Sequence, residues 1–428
     1  MKSRFWVAIG LGATLTLALS ACGGTGTGGD DDAATATGPI TIWYSNNAQE
    51  VAWGEQAVDA WNAAHPDEQV TAQEIPAGKS SEEVITAAIS GGTAPCLIYN
   101  TAPAAVADFR KIGGLVNLSQ FEDGASYIEE RSGDAAAQFQ SADGDFYQMP
   151  WKANPVVMFY NKAKFAEAGL DPENPALATY DEFLATSQTL VDSGVVQYSA
   201  YPSPASDFYQ PWFDFYPMFA AESGGQQLLE DGKSAFTDDA GLAVAEFWAE
   251  MYKRGYSGKE TYTGDAFTDG ISAITFAGPW AVPTYDGKVE WGTAPIPTKD
   301  GADPASVHTF DDAKNVGMYT ACENQGTAWE FLKFTTSQEQ DGQLLEMTGQ
   351  MPIRPGLANV YPDFFAENPQ YSAWAQGKTV AVPLTLNSVE IWQTFRDAWV
   401  ASVISGAEDI QGAFGDAAAK IDELAGES

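Results

Sequence analysis

Between residues 40 and 118, short strand-forming runs alternate with amphipathic helical ones, and this alternation constrains the fold more than any other feature. Ile40 to Tyr44 (ITIWY) is strand-like, and Glu50 to Ala64 carries Val51, Ala57, Val58 and Trp61 at helical spacing. Val70 to Ile75 (VTAQEI) reads as a second strand. Ser80-Ser81-Glu82-Glu83 opens the next helix, through Ile89, with the signature of a capping box. Cys96 to Tyr99 (CLIY) is a short buried strand, and Ala104 to Ile112 another helix. Alternation at this spacing predicts an α/β fold with a doubly wound, mainly parallel sheet.

In such sheets a ligand sits beyond the carboxyl ends of the strands. The residues just past the first and third strands are Ser45-Asn46-Asn47 and Asn100-Thr101, which carry hydroxyls and amides but neither a charge nor a glycine loop. Phosphate is therefore a poor match. A neutral polyol fits better, because an asparagine both donates to and accepts from a hydroxyl. The same asparagines serve equally well as helix caps or turn residues.

A second block runs from Val156 to about Ala305, with strand candidates VVMFYN and AITFAG and helices around Tyr180–Asp192 and Ala240–Arg254. Residues 38–428 number 391, more than one hydrophobic core normally serves, so two domains are expected. Aromatics crowd the loops of this block: Trp151, Tyr201, Phe208, Tyr209, Trp212, Phe215, Trp280 and Tyr285. Aromatic faces stack on the apolar faces of sugar rings, although most aromatics in any chain belong to its core.

The N-terminus has the pattern of an export signal: Lys2 and Arg4, then the apolar run VAIGLGATLTLAL, too short to span a membrane as a mature helix. Leu19-Ser20-Ala21-Cys22 resembles the lipobox of bacterial lipoproteins, which implies that residues 1–21 are removed and Cys22 is diacylated. Gly23 to Gly38 is expected to be a flexible tether reaching roughly 20–25 Å. Gly24, Gly26 and Gly29 match a dinucleotide fingerprint by chance, since no strand precedes them. Losing Lys2 and Arg4 takes the net charge from −37 to −39, which argues against nucleic acid as a partner. Cys96 and Cys322 are the remaining cysteines, and outside the membrane such a pair usually bonds. His65 and His308 are the only histidines, with no metal-ligand spacing around them, so neither metal nor cofactor is expected.

MPWKANPVVMFYNKAKFAEAGLDPENPALATYDEFLATSQTL, FTDDAGLAVAEFWAEMYKRG, AFTDGISAITFAGPWAVPTY, GTAWEFLKFTTSQEQ and TGQMPIRPGL follow one another in order. Together they resemble the extracellular solute-binding proteins of ABC importers, in the sugar-binding family that includes maltose-binding protein. The resemblance implies a periplasmic-binding-protein-like fold of two α/β lobes, with the ligand in the cleft between them. The expected lobes are residues 39–154 with 313–360, and 155–312 with 361–428, joined by crossing strands near 153–158 and 308–314. It also implies that the strand from Asn315 to Cys322 neighbours Cys96–Asn100; if the two run antiparallel, a Cys96–Cys322 bridge becomes possible.

By the same resemblance, Trp280 in Gly278-Pro279-Trp280 is the expected sugar platform, Trp392 a second stacking aromatic, and Trp212, near Asp214, a third. Asn100 lies in a loop that commonly contacts ligand, and Trp151 and Lys152 lie beside the crossing strand. Asp311 and Asp312 depart from the Gly-Gly of many members; they either bind hydroxyls or cap a turn. With Asn46 and Asn47 these form the candidate site. The implied partners are a di- to tetrasaccharide, the permease subunits of an ABC importer and, through the lipid, the outer face of the cytoplasmic membrane, with the protein a monomer. A secreted glycosidase needs two carboxylates across the scissile bond, and 58 acids supply pairs by chance; no nucleophile elbow, HExxH or phosphate loop is present. A binding protein for another solute and a tethered adhesion protein are the remaining alternatives.

Overall fold

A computed structural model describes residues 31–45, 47–77, 80–205, 213–376, 378–382 and 385–426. The alternating segment folds as its pattern suggests. Ile40–Tyr44 pairs in parallel with Val70–Glu74 on one side and Leu97–Thr101 on the other. Helices Ala48–Ala64 and Ser81–Ser90 lie between these strands in sequence, each started by a side-chain cap: Asn47 for the first and Ser80 for the second.

Lys314–Met318 then pairs antiparallel with both Leu97–Thr101 and Met149–Ala153, and Met351–Pro352 closes the edge of a six-stranded sheet. A second, four-stranded sheet has the order Trp291–Ala294, Val157–Asn161, Ser272–Ala277, Tyr198–Ala200. The α/β architecture is as expected, but both sheets are mixed rather than mainly parallel. The reason is the chain path. Val157–Asn161 and Lys314–Met318 each enter a sheet directly after crossing from the other, so they run opposite to the strands that end at the crossing.

Two main cores follow from this division. Ile42, Leu97, Val316 and Phe331 pack in one, and Met158, Phe183, Trp248, Ile274, Phe395 and Trp399 in the other. Helix Asp239–Lys253 shows why: Val244, Phe247, Trp248 and Met251 fall on one face at i, i+3, i+4 and i+7 and are all buried. The last helices, Ser388–Trp399 and Ile410–Gly426, join the second core through Ile391, Phe395, Phe414 and Ile421.

At the crossing, Pro155 and Asp311 bridge antiparallel, and His308–Phe310 pairs in parallel with Lys378–Val380. Cys96 and Cys322 form a disulfide with their Cα atoms 4.5 Å apart, at the ends of the antiparallel strands Leu97–Thr101 and Lys314–Met318. Residues 31–38, expected to belong to the tether, lie against the first lobe. Asp31–Thr35 is a short helix, the Ala36 carbonyl accepts from Gly326 N–H at 3.0 Å, and Gly38 N–H donates to Thr327 Oγ1 at 3.1 Å. A Cβ on Gly326 would stand 2.8 Å from the Ala36 carbonyl, so glycine permits this docking.

Candidate functional site: a cleft between the lobes

Strands that run towards the crossing deliver their following residues into a cleft of about 560 Å³. Ala102, Pro103 and Ala104 come from the end of Leu97–Thr101, and Trp280 from the end of Ser272–Ala277. Asp311, Asp312 and Lys314 line the same space from the returning crossing strand, and Trp392 from helix Ser388–Trp399. A Cβ on Gly278 would fall 1.8 Å from the Trp280 ring, so only glycine there lets the indole fold back over the strand end.

The second lobe presents an aromatic wall. Trp280 lies 5.8 Å from Phe213, Phe213 lies 6.4 Å from Phe310, and Tyr216 packs edge-on against Phe310 at 4.8 Å and Trp392 at 5.2 Å. The Tyr216 hydroxyl donates to the Ala381 carbonyl at 3.0 Å, which fixes the ring.

The opposite side is charged. Lys314 Nζ stands 2.6 Å from Asp312 Oδ1; burial opposes the ammonium, but Asp312 keeps its pKa raised. Asp311 Oδ1 accepts the Asn154 N–H at 2.7 Å, and burial pushes its carboxyl up to about 7. Behind Ala102 lies Glu82, 4% exposed, with Oε2 lacking a hydrogen-bond partner. Burial pushes Glu82 up to about 8, against the pull of Lys314 and of the Ala102 N–H. Sequence reasoning used Glu82 only as a helix start. The signal it missed was an acid in the first turn after the second strand, where the strand ends converge.

Of the expected ligand residues, Trp280, Asp312 and Trp392 line the cleft. Asn46, Trp212 and the expected lipidation site Cys22 lie outside the described residues. Asn47 is spent as a cap, its Oδ1 accepting from Gln49 and Glu50 N–H at 3.1 Å each. Asn100 is the penultimate residue of its strand, at φ +62°, and does not itself line the cleft.

Trp151, Lys152 and Asp214 are corrected to the interior. Trp151 packs between Trp53 and Tyr99 in the first core, at 5.5 and 5.3 Å. Lys152, fully buried, pairs with Glu50 at 2.5 Å, and Gln350 and Ser45 complete the carboxylate's shell. Asp214 is buried against Arg396 at 3.0 and 2.9 Å and accepts from Trp399 Nε1 at 2.9 Å. Position in the strand explains the first two misplacements: Trp151 and Lys152 sit before the crossing point, where both faces of the sheet are covered.

Two lobes joined by crossing strands, with a cleft where the strand ends meet, define a protein that binds a solute between its halves. Residues 56–373 match the family described as bacterial extracellular solute-binding protein, and the chain belongs to that family. Its members bind solutes and are not enzymes. The chain is 23% identical to the maltotriose-binding protein of Pyrococcus abyssi, over 77% of its own length and 69% of that protein's. It is 26% identical to the diacetylchitobiose binding protein DasA of Streptomyces coelicolor, over 80% of each. Its fold is similar to UgpB from Mycobacterium tuberculosis in complex with glycerophosphocholine (TM-score 0.76, 18% identity), covering 91% of this chain and 98% of that one.

Proposed function

We propose that this protein captures a di- to tetrasaccharide in the cleft and hands it to the permease of an ABC importer. The observation that carries the reading is the pairing of an aromatic wall from Trp280 to Trp392 with the carboxylates of Asp311 and Asp312. Indole and phenyl faces match the C–H faces of sugar rings, and carboxylates accept from hydroxyls. Binding in the cleft favours the closed lobes because only then does the ligand touch both walls, and it needs no covalent chemistry. The names of the maltotriose- and diacetylchitobiose-binding relatives support the class of ligand. Cys22 would carry the acyl anchor, keeping the protein beside the permease on the outer face of the membrane; two acyl chains hold where one is marginal.

The phosphodiester bound by the UgpB relative is the competing ligand. Against it stands the lining: among the described residues Lys314 is its one cation, already paired with Asp312, while Asp265, Asp311 and Asp312 are acidic. Isothermal titration against α- and β-linked oligosaccharides and glycerophosphocholine separates the two. Binding of one sugar linkage class, with the sugar recovered intact, is expected; binding of glycerophosphocholine alone would reverse the assignment.

A further inference from the structure

Helix Ser388–Trp399 belongs to the second lobe by its packing, through Ile391, Phe395 and Trp399. Its first turn is not capped from within that lobe. Asn387, which precedes it at φ +58°, turns its side chain away and donates to the Leu424 carbonyl at 3.0 Å. The acceptor comes instead from the first lobe. Asp108, in helix Val106–Lys111, takes the Asn387 N–H at 2.8 Å on one oxygen and the Ser388 hydroxyl at 3.1 Å on the other. Ser388, fully buried, shares that hydroxyl with the Ala104 carbonyl. Ala104 lines the cleft from one side, and Trp392, one helical turn beyond Ser388, lines it from the other.

We infer that Asp108 is a latch between the lobes: it caps the helix that carries Trp392 only while the cleft is shut. A helix start leaves N–H groups unsatisfied and carries partial positive charge, so a carboxylate there is favourable. Hinge opening moves Asp108 away from Asn387 and returns the helix start to water. Closure is thereby favoured by a side chain outside the cleft lining, and Asp108 acts as a positioning residue through Ser388 and Trp392. Losing a cap acceptor shifts such an equilibrium by about fivefold.

The inference rests on the sugar-binding reading only for its ligand readout. Amide exchange of the ligand-free protein tests it directly. In Asp108→Ala, exchange at Ala102, Ala104 and residues 389–392 should rise about fivefold, while amides 244–251 in the second core keep the wild-type rate. Asp108→Asn, which retains an acceptor, should recover most of the protection. With a bound sugar, stopped-flow tryptophan fluorescence should show release about fivefold faster and association nearly unchanged. Unchanged exchange at Ala102, Ala104 and 389–392, or an equal rise throughout the core, would overturn the latch. Faster exchange at those amides in a protein that binds no sugar would support the latch and remove the sugar reading.

Discussion

Asp311 touches the crossing strand and the cleft at once: its Oδ1 accepts the Asn154 N–H at 2.7 Å, its own N–H donates to the Val380 carbonyl at 2.9 Å, and the residue lines the ligand space. The hinge and the site therefore share a residue. At pH 8, above the raised value of its carboxyl, Asp311→Ala removes a charged acceptor from both, and a hydrogen bond to a charged group contributes about 1.5–3 kcal/mol. Affinity should fall by at least about tenfold, while Asp311→Asn, keeping the oxygen that holds Asn154, loses less. Calorimetric titration of both variants checks the order; equal losses would detach the hinge bond from binding.

Stability should depend on pH through Glu82 and Asp311. Burial raises their folded values to about 8 and about 7, whereas unfolded carboxyls ionise near pH 4. Between those limits the folded chain binds more protons than the unfolded one, so these two groups make stability fall as pH rises, with their full contribution present below about pH 4 and lost above about 8. Glu82→Gln should give a thermal midpoint that declines less from pH 5 to pH 8 than the wild type's. Parallel curves for the two proteins would contradict the assignment.

Lys152 sits in the first core as the partner of Glu50, not in the cleft. Lys152→Met strands a buried carboxylate, at a cost of about 3–5 kcal/mol. Urea unfolding should register that loss, while the folded variant keeps its ligand affinity within about twofold. A large affinity loss at full stability would return Lys152 to the binding site.

The strand–helix alternation and the antiparallel neighbours Cys96 and Cys322 were legible because each rests on local pattern or on the family's strand order. The cleft was legible only in part. Trp280 announces itself through Gly278-Pro279, whose backbone geometry ends a strand and turns the chain. Asp214 and Arg396 lie 182 positions apart, and nothing local says that one neutralises the other in the second core. Asp108 and Asn387, separated by 279 positions, meet only through the relative placement of the lobes. Glu82 looked like a capping residue because the groups that meet its carboxyl, the Ala102 N–H and Lys314, lie far along the chain.

The Cys96–Cys322 bridge spans 226 positions and ties the Leu97–Thr101 strand to the end of Lys314–Met318. The paired variant Cys96→Ser with Cys322→Ser should lose about 2–5 kcal/mol of stability. Both serines fall within the first lobe, so ligand affinity of the folded fraction should hold. Equilibrium unfolding of the oxidised and substituted proteins measures the difference; no change would mean that the bridge adds nothing to a closed chain.

Stacking of a sugar on Trp280 is the central claim, and a titration of wild type and Trp280→Ala with the same di- to tetrasaccharide tests it most directly. Loss of an aromatic platform of this kind should weaken binding by about 10–100-fold, with the thermal midpoint of the free protein little changed because Trp280 is only partly buried. Undiminished affinity in Trp280→Ala would contradict the account and place the ligand elsewhere in the cleft.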